Sequence, residues 1–196
     1  IFSFLDFIFS LYPLKKVIKN AGKTMGIGTK AFSSYAIPAS LAVISLSSFI
    51  STDVLLVKHF FSPTDAGLYG GLSLIGKVIF YFTGPIAIAM FPLIVKRHEM
   101  KEKFNNLFYL SILLVLIPSV VITVFYFIFP EFTIRIFLGG RQYLLMEPFL
   151  GLFGIFLTIF SLNNVFVSFF LSIKRTIVSL ITLLMAVLQI LLIYIF

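Results

Sequence analysis

The sequence of 196 residues contains no cysteine and no tryptophan, and only 11% of its residues are charged. The absence of cysteine excludes disulfides, thiolate metal sites and cysteine nucleophiles. The absence of tryptophan excludes nothing. The charged fraction lies far below the roughly 25% that is typical of a soluble domain. A water-soluble fold of this size could not bury so much apolar surface, so the chain is expected to lie in a membrane.

Apolar residues are what the sequence has in abundance. It is 60% hydrophobic, contains 26 phenylalanines and has a mean hydropathy of +1.14. This composition predicts an all-α fold, a polytopic transmembrane helix bundle with about five spans plus a partial one. The chain begins at Ile1 and ends in the apolar run LLIYIF. We therefore expect a piece of a longer membrane protein, truncated at both ends.

The hydropathy pattern divides the sequence into two regions. Residues 1–34 are predicted to hold the end of a preceding helix, over 1–14, followed by a basic linker with five lysines. Residues 35–196 are predicted to form the transmembrane bundle. Each of its apolar runs is about as long as the roughly 20 residues needed to cross a bilayer. The predicted spans are about 35–57, 68–94, 105–129, 148–172 and 176–196.

Lysine and arginine are distributed unevenly between the loops. Eleven of the fifteen precede the first span or follow the second and fourth spans, whereas the other loops hold only Lys58, Arg135 and Arg141. The positive-inside rule therefore predicts that the basic loops are cytoplasmic in a multi-pass protein of the cytoplasmic (plasma or inner) membrane. Because the net charge of +8 is spread over short loops, it does not indicate binding to nucleic acid.

The stretch from Thr52 to Lys77 is unusually rich in ionisable residues for so apolar a chain. Its Ser-Pro-Thr-Asp sequence predicts a tight hairpin between the outer end of one helix and the start of the next. Lys77 lies near the middle of its span, and an ammonium in lipid is costly, so a water-filled cavity is expected there. Asp53 and Lys58 are expected near the outer interface. Three roles stay open for Asp53: anchoring the hairpin, coupling to a cation or pairing with a lysine.

Small and polar residues recur on the second span at helical spacing, at Gly70, Ser73, Lys77, Tyr81 and Gly84. The other spans carry similar stripes. Two interpretations stay open, since such stripes either line a shared cavity or let helices pack closely. The candidate substrate-binding residues of a cavity are Lys77, Asp53, Tyr81, Ser73, Asn163, Asn164 and Gln189.

No catalytic constellation is recognisable in the sequence. It has no Gly-x-Ser-x-Gly motif, no phosphate-binding loop and no aspartate-rich metal motif. Its two histidines, His59 and His98, are too few and too far apart for a metal cluster. We therefore predict no catalytic residue, no metal and no cofactor, and we do not expect an enzyme.

Several motifs together resemble one known family. They are Thr52-Asp53 near the end of a span, the hairpin SPTDAGLYGG, the following LIGK, and GPIAIAMFP before a basic loop. The run FLGGRQYLLMEPFLGLFGIF, from Phe137 to Phe156, adds to the likeness. The chain resembles the polysaccharide biosynthesis, or oligosaccharide flippase, family of the multidrug/oligosaccharidyl-lipid/polysaccharide exporter superfamily.

This resemblance implies two pseudo-symmetric helix bundles around a central cavity, of which the chain would supply most of the second, a MATE-like half. The implied function is flipping of a polyprenyl-pyrophosphate-linked oligosaccharide for cell-surface polysaccharide (O-antigen) synthesis, without covalent chemistry. The implied substrate and partner is that lipid-linked oligosaccharide. Membrane lipid and a coupling ion are further partners expected from the residues themselves. Two alternatives stay open, a multidrug or cation-coupled exporter of the same superfamily and a membrane-embedded glycosyltransferase or ligase.

Overall fold

Six α-helices and one short 3-10 helix make up the described part of the chain. The structure is a computed structural model that describes residues 29–195, with side chains from residue 33 onward. No strand occurs in this part, which confirms the predicted all-α class. The helices are α1 (Thr29–Phe60), α2 (Pro63–Glu99), α3 (Asn105–Ile128), α4 (Pro130–Leu138), the 3-10 helix (Arg141–Met146), α5 (Glu147–Ser172) and α6 (Ile177–Ile195).

Five of these helices, α1, α2, α3, α5 and α6, are long and apolar enough to cross a membrane. The chain is therefore a multi-pass membrane protein, as its composition predicts. Helix α2 has 37 residues and is about 55 Å long, whereas the hydrocarbon core is about 30 Å thick. Part of α2 therefore extends beyond the hydrocarbon. The helix end predicted over residues 1–14 and the linker lysines up to Lys23 lie outside the described residues.

Helices α1 and α2 are joined by only two residues, Phe61 and Ser62. Ser62 caps α2, since its Oγ accepts a hydrogen bond from the Asp65 N–H at 3.2 Å and donates one to Asp65 Oδ2 at 2.7 Å. Pro63 follows at the first helical position, where its missing N–H costs nothing. The predicted hairpin is present, and most of its turn residues already belong to the first turn of α2. The short connection places the end of α1 next to the start of α2.

The core lies where α5 packs against α2 and α3. Glycines allow α5 to approach α2 and α3 closely. A Cβ atom at Gly76 of α2 would lie 2.1 Å from the ring of Phe153 on α5, and one at Gly151 would lie 2.5 Å from the ring of Phe127 on α3. The buried side chains of the main cluster are Leu72, Ile75, Ile79, Tyr126, Ile134, Leu150, Leu157 and Phe160.

Most buried hydroxyl groups of the bundle serve packing. Ser45, Ser111 and Thr182 each donate to the carbonyl four residues earlier in their own helix, at 2.8, 2.9 and 3.1 Å. Such bonds satisfy the hydroxyl locally and let the side chain face a neighbouring helix. Of the two interpretations of the polar stripes, close helix packing therefore accounts for these three residues.

Two further contacts connect helices through polar groups. Thr123 of α3 and Thr158 of α5 share a hydrogen bond of 2.9 Å. Tyr126 of α3 donates from its hydroxyl to the Ile75 carbonyl of α2 at 2.8 Å. Because both contacts are buried, water does not compete for them, and they fix the register of α3 against its neighbours.

Helices α2 and α5 end in the same way. After α2, the Lys101 N–H bonds to the His98 carbonyl and the Glu102 N–H to the Arg97 carbonyl. After α5, residues 174 and 175 make the equivalent bonds to residues 171 and 170. These are Schellman motifs, whose left-handed residue is usually glycine. Here that residue is Lys101, with φ of 56°, and Lys174, with φ of 60°.

Candidate functional site

A buried ion pair joins α1 to α2. Lys77 Nζ of α2 lies 3.7 Å from Asp53 Oδ1 of α1, and the two side chains are 12% and 9% exposed. The distance exceeds that of a hydrogen bond, so the contact is purely ionic. Both groups are thereby withdrawn from lipid and face each other between the helices.

The pair changes the interpretation of both residues. The sequence placed Asp53 with Lys58 near the outer interface and Lys77 in a water-filled cavity. In the structure Lys58 is exposed, whereas Asp53 is buried and Lys77 points to it. Of the roles left open for Asp53, pairing with a lysine is the one present here. Helical periodicity shows which face a residue occupies, but it does not show the register between two helices.

Neither residue of the pair lies at a helix end. Asp53 is about 10 Å from the end of α1, and Lys77 is about 21 Å from the start of α2. The side chain of a helical residue leans toward the N-terminus of its helix, so the lysine stem covers much of this difference in depth. Ionisable groups within membrane-spanning helices are rare and mark functional sites more often than structural ones.

Tyr69 completes the cluster on the side of the α1–α2 hairpin. It lies two turns before Lys77 on α2, and its hydroxyl donates to Asp53 Oδ2 at 2.9 Å. The sequence analysis used Tyr69 only as part of the hairpin motif and did not include it among the candidate site residues. Its position eight residues before Lys77, on the same face of α2, was the available signal.

Replacing Tyr69 with phenylalanine is expected to lower the free energy of unfolding by about 2 kcal/mol, because a hydrogen bond to a charged group is lost. Unfolding of the purified protein in detergent measures the effect. Tyr194→Phe is the matched control, since Tyr194 is 70% exposed and should give no significant change. Equal effects of the two substitutions would contradict the assigned hydrogen bond.

Hydrogen-bonding capacity is left unused around the pair. Asp53 Oδ1 and the Ser73 hydroxyl, one turn before Lys77, are buried without a hydrogen-bond partner. Within residues 33–195 the Lys77 ammonium has the ionic contact with Asp53 and no hydrogen bond. The attraction within such a pair, about 4 kcal/mol, is comparable to the desolvation penalty of several kcal/mol for each ion. Because the ammonium makes no hydrogen bond within residues 33–195, its three N–H donors are available to another anionic group.

Gln189 brings α6 to the same region. Its Nε2 lies 3.5 Å from the Phe49 carbonyl on α1, one turn before Asp53, and its Oε1 is buried without a partner. On the same part of α1, Ser48 and Thr52 share a hydrogen bond of 2.9 Å. The polar residues around the ion pair thus come from α1, α2 and α6.

Three predicted cavity residues are not joined to this cluster. Tyr81, one turn beyond Lys77, is 63% exposed. Asn163 and Asn164 of α5 are half-buried, and no polar contact in the described part of the chain connects them to Asp53 or Lys77. The structure therefore joins Asp53 and Lys77 directly. Ser73 lies one turn before Lys77, and Gln189 contacts α1 one turn before Asp53.

An apolar cavity of about 670 Å³ lies beside the cluster, between the α1–α2 hairpin and the start of α5. Tyr69 lines this cavity and also bonds to Asp53, so the cavity borders the ion pair. Within residues 33–195 no group of three or more His, Cys, Asp or Glu side chains could hold a metal ion. The lining residues are Val57, Phe61, Asp65, Tyr69, Leu72, Met146, Phe149, Leu152, Phe153 and Phe156.

Comparisons of the chain with protein-family models, with curated proteins and with solved structures found no match. Assignment to a family therefore depends on the motifs quoted above. The site itself offers a positive point charge with free donors, a carboxylate that can accept a cation and an adjoining apolar space. These groups suit binding of an amphipathic anion.

Proposed function

We propose that the chain is part of one bundle of a membrane transporter that flips a polyprenyl-pyrophosphate-linked oligosaccharide across the cytoplasmic membrane. The observation that carries this proposal is Lys77, a largely covered ammonium on a helix long and apolar enough to span a membrane, with no hydrogen bond among the described residues. The likeness of the Thr52–Lys77 stretch to the oligosaccharide flippases supports it. Such a transporter moves its substrate without covalent chemistry, and its basic loops are cytoplasmic.

In this proposal a pyrophosphate competes with Asp53 for Lys77. The phosphate oxygens offer the hydrogen-bond acceptors that the ammonium lacks, and a lysine binds phosphate as a point charge. Asp53 keeps its bond from Tyr69 when Lys77 leaves, and a coupling cation can take the place of the ammonium. Because the ion pair joins α1 to α2, the exchange alters the contact between these helices. Alternating access requires a change of this kind.

The apolar cavity beside Tyr69 supports the same substrate class. It is open, its lining is almost entirely apolar, and its volume of about 670 Å³ lies within the range of small-molecule sites. An isoprenoid chain could lie there while its pyrophosphate contacts Lys77, since Tyr69 borders both places. In contrast, a cationic drug makes no use of the unpaired donors of Lys77, which disfavours a multidrug exporter.

Complementation tests the proposed function. The full-length gene is expected to restore surface glycan in strains that lack their own flippase, across a panel of lipid-linked sugars, and to leave resistance to cationic drugs unchanged. The readouts are surface glycan on gels and drug sensitivity of the same strains. Drug resistance without any surface glycan would contradict the proposal and favour the multidrug exporter. Glycan restored by an empty vector would show the assay to be unsuitable.

A further inference from the structure

Six exposed cations lie at one end of the bundle, opposite the α1–α2 hairpin. They come from the α2–α3 and α5–α6 turns, and only two carboxylates, Glu99 and Glu102, lie among them. Lys174 Nζ lies 3.5 Å from Glu99 Oε1. This ion pair connects the α5–α6 turn to the end of α2. We call this surface the basic end, and it consists of Lys96, Arg97, Lys101, Lys103, Lys174 and Arg175.

Two of these lysines occupy backbone positions that disfavour them. Lys101 and Lys174 have φ of 56° and 60° and stand where a Schellman motif usually has glycine. The helix dipole favours cations near a helix C-terminus, but it does not require a side chain at the left-handed residue. The chain therefore keeps two positive charges at positions where glycine would fold more easily.

The turns are also held in place. Arg97 Nη1 donates to the Lys103 carbonyl at 3.3 Å. Beneath the turns, the rings of Phe108 and Phe169 stack with centroids 3.9 Å apart, and Phe104 packs against Phe169 at 6.0 Å. Since these turns join helices that are apolar enough to cross a membrane, the cations are expected at the depth of the lipid headgroups.

We propose that the basic end binds the phosphodiester headgroups of anionic phospholipids. Clusters of lysine and arginine next to a membrane span attract such lipids, and the six cations exceed the two carboxylates by four charges. The membrane supplies these headgroups at high local concentration and at the right depth, which favours lipid over a soluble phosphate. This site is distinct from the Asp53–Lys77 pair and does not depend on the transport function.

Fluorescence quenching tests the proposal, because a chain without tryptophan allows a single reporter to be introduced. Ile177 is 69% exposed and lies two residues after Arg175, so Ile177→Trp places the reporter at the basic end. The full chain is reconstituted in vesicles of phosphatidylcholine with brominated phosphatidylglycerol or brominated phosphatidylcholine. Quenching should show a local preference for phosphatidylglycerol of at least about threefold.

Lys101→Gly combined with Lys174→Gly should abolish most of this preference while raising the unfolding temperature, since glycine suits the left-handed positions. A matched control removes two cations from the other end, Lys58→Gln with Arg141→Gln, and should keep the preference. Equal quenching by both lipids, or an unchanged preference in the glycine variant, would overturn the proposal. So would loss of the preference in the control, or its removal by millimolar inorganic phosphate, which would indicate a site for soluble anions.

Discussion

Lys77→Met is expected to lower the free energy of unfolding by about 3–5 kcal/mol, the cost of leaving a buried charge unpaired. Asp53 would keep only the hydrogen bond from Tyr69, and its Oδ1 already lacks a hydrogen-bond partner. Unfolding of the purified protein in detergent measures the loss. Because native stability is itself only about 5–15 kcal/mol, a reduced yield of folded protein is also expected.

The double variant Asp53→Leu/Lys77→Met distinguishes the loss of stability caused by an unpaired charge from the loss caused by changed packing. A buried ion pair can often be replaced by apolar side chains of similar volume without loss of stability, so this variant should unfold within about 1 kcal/mol of the wild type. Lys58→Met is the matched control for the single substitution, since Lys58 is exposed and should tolerate it. A single and a double variant that are equally unstable would show that the residues do not form a coupled pair.

Gly76→Ala is expected to destabilise the bundle by about 1–3 kcal/mol through overpacking. The added Cβ would lie 2.1 Å from Phe153 Cδ1 and 2.6 Å from Phe153 Cε1, so either the Phe153 ring or the separation of α2 and α5 must change. The ring of Phe153 also packs edge-on against Tyr69, at 6.1 Å between centroids. We therefore expect the substitution to disturb the hydrogen bond to Asp53 as well.

Gly70→Ala is the matched control in the same helix. A Cβ at Gly70 would have no atom within 4 Å, and alanine is a better helix former than glycine by up to about 1 kcal/mol. It should therefore leave stability unchanged or raise it. Phe153→Leu should partly rescue Gly76→Ala because it removes the clashing ring. Destabilisation by both alanines to the same extent would contradict a close α2–α5 contact at Gly76.

The helices could be predicted from sequence because their signal is local. Apolar runs about 20 residues long locate the membrane helices, and Ser-Pro-Thr-Asp locates the α1–α2 hairpin. The helix ends are less well predicted. Helix α1 begins at Thr29, while the corresponding span was predicted from residue 35, and α2 continues to Glu99 beyond its predicted span. Polar residues continue a helix past the hydrocarbon, so hydropathy marks the bilayer and not the helix end.

The contacts of the site could not be predicted from sequence. Asp53 and Lys77 are 24 residues apart on different helices, and their contact depends on how far α1 and α2 slide along each other. The contact of Gly76 with Phe153 depends in the same way on the register between α2 and α5. The contact of Gln189 with the Phe49 carbonyl depends on the register between α6 and α1. Tyr81 lies on the same polar stripe of α2 as Lys77 but is exposed. The stripe covers more of the helix surface than the part that contacts a neighbouring helix.

The most direct test of the account is transport by the full-length protein carrying Asp53→Leu/Lys77→Met. Flipping of lipid-linked oligosaccharide into sealed vesicles is measured per amount of folded protein, so that any effect on stability is removed. If the Lys77 ammonium binds the pyrophosphate, the rate should fall by at least about tenfold, the equivalent of 1.4 kcal/mol. A rate equal to that of the wild type would contradict the account and leave the ion pair a structural feature alone.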